Sequence, residues 1–156
     1  MHIHLIAVGT RMPAWVDAGY ADYARRLPAE CRLELREIPL ARRHKGSRLE
    51  RLKAEEGRAL LAAVPRGALK IALEVTGRAW STPQLARELA DWMQGGRDVA
   101  LLVGGPDGLS AECLAQADRQ WSLSPLTLPH PLVRLVVAEQ IYRAHCILRN
   151  HPYHRE

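Results

Sequence analysis

Residues Gly104-Gly105-Pro106-Asp107-Gly108 place three glycines within five positions. Glycine has no Cβ, so backbone there can approach a ligand closely. The preceding run, Val99-Ala100-Leu101-Leu102-Val103, is uniformly apolar with β-branched members and reads as a buried strand. Ser110 can then cap a helix with its side-chain oxygen, with Asp107 near the same N-terminus. Open α/β sheets hold ligands just beyond the carboxyl ends of their strands, where such loops lie. A tight turn with no ligand explains the glycines equally well. Downstream lies Trp121-Ser122-Leu123-Ser124-Pro125-Leu126-Thr127-Leu128-Pro129-His130-Pro131, in which a histidine is held between two prolines.

Other site chemistries fit less well. A phosphate loop needs GxxxxGK[ST], which the chain lacks, and a dinucleotide site needs GxGxxG after the first strand. The first strand ends instead in Val8-Gly9-Thr10-Arg11. His151 and His154 invite a metal reading, but no cysteine or carboxylate cluster in the sequence joins them, so none is expected. Residues 42–53 hold six Lys or Arg and one Glu, a stretch that reads as solvated loop by default and as a phosphate contact if the partner is a nucleic acid.

The elements that must position these residues follow from periodicity. A chain of 156 residues with 47% hydrophobic and 25% charged residues suggests one domain, residues 1–156, with a single real core. There is no Phe, so Leu, Val and Ala must fill that core. The net charge of +5 is compatible with a polyanionic partner without requiring one. Cys31, Cys113 and Cys146 are widely spaced and odd in number, which reads as reduced core thiols in a cytoplasm. No signal peptide and no membrane-length apolar run is apparent.

Residues 3–8 form an expected first strand, and a helix follows from Pro13 until Pro28 stops it. Residues 33–38 alternate as a second strand, half exposed or at an edge. Ser47-Arg48-Leu49-Glu50 matches a capping box for the next helix, which Pro65 and Gly67 end. Residues 69–75 form a third strand. Ser81-Thr82-Pro83-Gln84 opens a helix that Gly95-Gly96 closes, and residues 99–103 are the next strand. This alternation predicts an α/β fold, a mostly parallel sheet with helices on both faces. Residues 132–148 are apolar around most of a helix circumference, which predicts burial on several sides and contact with a second copy. Glu139 and Arg143, four apart, can pair.

Taken together, the late motifs are specific. Gly104-Gly105-Pro106-Asp107-Gly108, Trp121-Ser122-Leu123-Ser124, Leu126-Thr127-Leu128-Pro129-His130-Pro131-Leu132-Val133-Arg134 and the ending Asn150-His151-Pro152-Tyr153-His154-Arg155-Glu156 resemble one family over the full length. Ala7-Val8-Gly9-Thr10 with Met12-Pro13 and Trp15 matches it too. That family is the SPOUT-class ribosomal RNA large subunit methyltransferase H family, which modifies N3 of a pseudouridine in large-subunit (23S) ribosomal RNA. The resemblance implies a SPOUT-type fold with a C-terminal trefoil knot, a homodimer, and S-adenosylmethionine as methyl donor. Its partner is ribosomal RNA, with the assembled ribosome as the expected context.

Carried over residue by residue, the resemblance implies cofactor contacts from Leu73, Gly104 and Gly105, and from Leu123, Ser124, Pro125, Leu126, Thr127 and Leu128. Plain core packing is the other reading for Leu73, Leu126 and Leu128. Methyl transfer to an imide-like N–H needs positioning and help with a proton. Candidates for that work are His130, Arg134, Glu139, Tyr142 and the tail residues His154 and Arg155. Each also has a plainer role: His130 as a helix-start residue, Glu139 as half of an ion pair with Arg143, Arg134 as a solvent-facing cation, and the tail as a frayed terminus. In the resembled family the tail reaches the partner protomer's site. The alternatives to the enzyme are a noncatalytic RNA-binding dimer of the same fold and a small-molecule methyltransferase.

Overall fold

The computed structural model describes residues 1–155. Its sheet has five strands: β1 (His2–Val8), β2 (Arg32–Ile38), β3 (Leu69–Ala79), β4 (Val99–Val103) and β5 (Arg119–Ser122). Their order across the sheet is β2-β1-β4-β3-β5, and every neighbouring pair is parallel. Five α-helices connect or flank them: α1 (Ala14–Ala24), α2 (Leu49–Ala63), α3 (Thr82–Gly95), α4 (Ala111–Gln116) and α5 (His130–Leu148). The expected α/β architecture is thus present.

Strand alternation sorts the core into two faces. Ile3, Leu5, Val99, Leu101, Val103 and Ile71 point to one face, where α1, α3 and α5 pack with Tyr20, Leu89 and Ile141. Ile6, Val8, Ala100, Leu102 and Ala72 point to the other, covered by α2 and α4 through Leu60 and Cys113. The central strand β4 is buried at all five positions, which explains its unbroken apolar run. Because α4 lies on one face and α5 on the other, the chain crosses the sheet's end between them.

The capping box expected at Ser47 does not form. Helix α2 starts at Leu49 with Arg48 in extended geometry as its N-cap and no side-chain cap. The Ser47 hydroxyl instead accepts from the His44 N–H at 2.7 Å, so its oxygen closes the basic loop. The capping box at Ser81 does form. Its Oγ accepts from the Gln84 N–H at 3.2 Å and its N–H donates to Gln84 Oε1 at 2.7 Å. Helix α1 ends at Ala24, before the proline thought to stop it. Strand β3 runs to Ala79 rather than Val75, with a register shift against β5 between Leu73 and Arg78. Strand β5 has no sequence counterpart because Arg119-Gln120-Trp121-Ser122 is short and polar at three of its four positions.

Leu101 is fully buried at the centre of the sheet. Leu101→Ala is expected to lower unfolding free energy by about 2–5 kcal/mol. A urea titration checks this, with the midpoint moving and the slope held.

Candidate active site

The cavity that matters lies at the carboxyl ends of β3, β4 and β5 and has a volume of about 430 Å³. That size suits a nucleoside-scale ligand. Two irregular segments wall it. The first is the glycine loop after β4, where the Gly108 N–H donates to the Gly105 carbonyl at 3.0 Å and closes a turn. A Cβ built on Gly104 would lie 2.5 Å from the Gly108 carbonyl carbon, so no other residue fits there without moving backbone.

The second wall is the segment between β5 and α5. The Leu126 N–H donates to Ser124 Oγ at 2.9 Å, and Ser122 Oγ donates to the Ser124 carbonyl at 3.1 Å. These local bonds occupy backbone groups that no sheet or helix takes up. Leu73, Gly104 and Gly105 line the cavity, as do Leu123, Ser124, Leu126, Thr127 and Leu128. Pro125 is exposed beside it and is not among the lining residues. The core-packing reading of Leu126 is wrong: it is 71% exposed. An apolar side chain that open to water, at the rim of a cavity, is available to cover an occupant. The sequence reading missed Val103, Pro106, Leu109, Trp121 and Val133 as lining residues. Their apolar types signalled only core, and proximity in the fold is what adds the site.

The candidate proton-handling residues do not converge in one protomer. His130, the first residue of α5, lines the cavity. Its ring packs at the end of β1, 3.3 Å from where a Cβ on Gly9 would sit, and its Nδ1 is buried without a partner. Burial, then the nearby Arg134 cation, pull its pKa below the ordinary 6.5, so the ring is neutral at pH 7. Arg134 is no solvent-facing cation. It is 1% exposed, donates to Glu37 Oε2 at 2.6 Å and donates to the Gly9 carbonyl at 2.6 Å. Both ends of its guanidinium are thus taken up in tying α5 to the ends of β1 and β2. Its Nε is buried without a partner.

Glu139 and Tyr142 lie farther along α5, about 14 and 18 Å from His130 by helical rise, and do not line the cavity. Glu139 Oε1 accepts from Arg143 Nε at 2.8 Å and from the Tyr153 hydroxyl at 3.0 Å. The expected ion pair with Arg143 therefore exists, with the tail added to it. The Tyr153 ring meets Tyr142 edge-on at 4.7 Å between centroids, and the Arg143 guanidinium sits 4.8 Å over its face. The tail is consequently anchored through Tyr153, which leaves His154 half-buried and Arg155 exposed beside this second cluster. Hydrogen bonding to Cys146 and burial push the Tyr142 phenol up, so it remains protonated.

Among the described residues no group of three or more His, Cys, Asp or Glu comes together as a metal site. No described helix is long and apolar enough to cross a membrane.

Residues 1–154 match the family described as "Predicted SPOUT methyltransferase". The chain is 61% identical over 156 residues, all of both chains, to the ribosomal RNA large subunit methyltransferase H of Thioalkalivibrio sulfidiphilus (strain HL-EbGR7). It is 56% identical, again over all of both chains, to the protein of that name from Hahella chejuensis (strain KCTC 2396). In fold it resembles the crystal structure of a methylase family protein from Neisseria gonorrhoeae. The TM-score is 0.54 at 18% identity, covering 99% of this chain and 86% of that one.

Gly104→Ala is expected to displace the Gly108 carbonyl and narrow the cavity. Calorimetric titration should then find S-adenosylmethionine binding weakened by roughly tenfold or more, with the fold retained in circular dichroism.

Proposed function

The chain belongs to the SPOUT methyltransferase family, and from that premise we propose that it methylates large-subunit ribosomal RNA at N3 of a pseudouridine, with S-adenosylmethionine as donor. The observation that carries this reading is the glycine-walled cavity of about 430 Å³ with neutral His130 at its mouth. The residues present fit the cofactor. Backbone N–H and C=O groups of Leu123–Leu128 would meet the adenine edge, while Leu73, Leu126 and Leu128 would cover its faces. Gly104 and Gly105 would admit the rest of the molecule against bare backbone. When bound, S-adenosylmethionine supplies an electrophilic methyl group on a positively charged sulfur.

The chain's own residues then have distinct tasks. The two walls exclude water and fix the approach line, from which most of the rate derives. Neutral His130 accepts the proton that N3 loses as it becomes nucleophilic. Glu139 and Tyr142 stand too far along α5 to serve the same protomer's cavity, and His154 and Arg155, in the tail after α5, do not line it either. This separation supports a homodimer in which the tail of one protomer completes the site of the other. The partly exposed apolar positions of α5 support the same assembly. A trefoil knot is supported by the route of the chain. After β5 it returns across the ends of β3 and β4, against the glycine loop, to start α5 beside Gly9.

The RNA partner is supported by the full-length relatives and by the exposed basic residues Arg42, Lys45, Arg48 and Arg51. The three buried free thiols suit a cytoplasmic enzyme. Incubating 70S particles, free subunits and naked RNA with methyl-labelled donor tests the function. Label is expected in large-subunit RNA, most strongly from assembled particles. Transfer to none of them would refute the assignment.

Two further outcomes are expected. Deleting residues 153–156 should abolish turnover while light scattering still finds a dimer, and full activity after the deletion would exclude a shared site. For pH, a depressed histidine pKa means the neutral, proton-accepting form persists down to that lowered value and is lost below it. The acid limb of kcat/KM should therefore fall below pH 6.5. His130→Ala should remove that limb.

A further inference from the structure

Beneath the glycine loop lies a carboxylate that the mechanism above does not use. Glu56 of α2 is 3% exposed. Its Oε2 accepts from the Ala41 N–H at 3.0 Å, and Arg43 stands 3.8 Å away. Its Oε1 is buried without a partner and lies 3.5 Å from where a Cβ on Gly105 would sit. A glutamate so buried and only half satisfied does not maximise stability, because an apolar side chain of its size would pack there without a desolvation penalty. Arg43 also reaches Asp107 Oδ2 at 2.7 Å. Asp107 is the one charged residue inside the glycine loop. The neighbouring residue on α2, Gly57, brings the helix against the far end of the same loop. A Cβ there would lie 3.0 Å from Ser110 Cβ and 3.2 Å from Cys113 Sγ. The Cys113 thiol donates to the Gly57 carbonyl at 3.4 Å.

We infer that Glu56 is a positioning residue for the cofactor-side glycine loop, acting through Arg43 and Asp107. Gly57 holds the loop's exit by close approach, and the charged chain Glu56–Arg43–Asp107 holds its middle. Arg43 belongs to the basic loop assigned above to RNA, so one side chain joins the RNA-facing and cofactor-facing loops. The inference rests on the reading that the glycine loop meets S-adenosylmethionine.

The test compares wild type with Glu56→Gln, Arg43→Gln, Asp107→Asn and the Arg43→Gln/Asp107→Asn double variant. S-adenosylmethionine affinity is read by calorimetry, and amide hydrogen exchange of Gly105, Asp107 and Gly108 is read in the ligand-free protein. Each single change should weaken binding several-fold, the scale of one partly exposed ion pair. It should also speed exchange at those amides. The double variant should be no worse than its poorer parent, since both changes break one link. If Glu56→Gln fails to fold, the two partly exposed partners decide the matter alone. Folded variants with wild-type affinity and exchange overturn the inference, and so does a double variant whose losses simply add. A lowered melting temperature with unchanged affinity and exchange assigns Glu56 a merely structural role and overturns it equally. If wild type itself binds no S-adenosylmethionine, the cofactor reading fails, and the exchange data still decide whether the chain of charges holds the loop.

Discussion

The closeness of Gly104 to the Gly108 carbonyl governs how the site is built. A strand as apolar as β4 must end in the interior, and the chain must then turn without side chains in the way. Bare backbone at that turn gives the cavity one polar wall made of fixed N–H and C=O groups. Such groups recognise a neutral heterocycle edge without bringing charge into a partly dry site. The opposite wall, Leu123–Pro129, has neither helix nor strand geometry, and its shape depends on the Ser122 and Ser124 hydroxyls. Both walls project from one end of a parallel sheet, where strand directions align and loops from different strands can meet.

Helix α5 links this cavity to the remaining chemistry, and it divides that chemistry in two. At its start, Arg134 is locked between Glu37 and the Gly9 carbonyl, one turn beyond His130 at the cavity. Arg134 acts on His130 by charge, since its cation helps keep the ring neutral. At the other end, Glu139, Arg143, Tyr142 and Tyr153 form a half-buried aromatic and ionic cluster that holds the tail. A rigid helix cannot bring its two ends together. The separation is the observation that supports the proposed dimer.

The sheet was legible in the residues because its strands are short, apolar and punctuated by glycine and proline, and the helix starting at Ser81 because its cap is complete. Strand β5 was not, since three of the four residues Arg119-Gln120-Trp121-Ser122 are polar and its pairing with β3 is long-range. The capping signature at Ser47 misled because a serine hydroxyl can serve a loop as well as a helix, and here it accepts from His44. Of the candidate site, the glycine loop was readable as a turn poised for a ligand. The proposal that it is a cofactor wall came from longer motifs that resemble a family. Whether Arg134 met an anion or faced water stayed open in the sequence, which records charge but not burial. Glu56 falls on the helix face marked by Leu49, Leu52, Leu60 and Ala63, so its inward position was legible in the spacing, but its link to the glycine loop through Arg43 was not.

The central claim is that the two loop walls enclose a methyl donor. A crystal structure grown with S-adenosylmethionine tests it most directly. The account predicts the adenine seated between the Gly104–Leu109 loop and the Leu123–Leu128 segment, with the methyl-bearing sulfur facing His130. Density for the compound elsewhere on the protein, or a cavity closed by Leu126 and its neighbours with no compound inside, would contradict it.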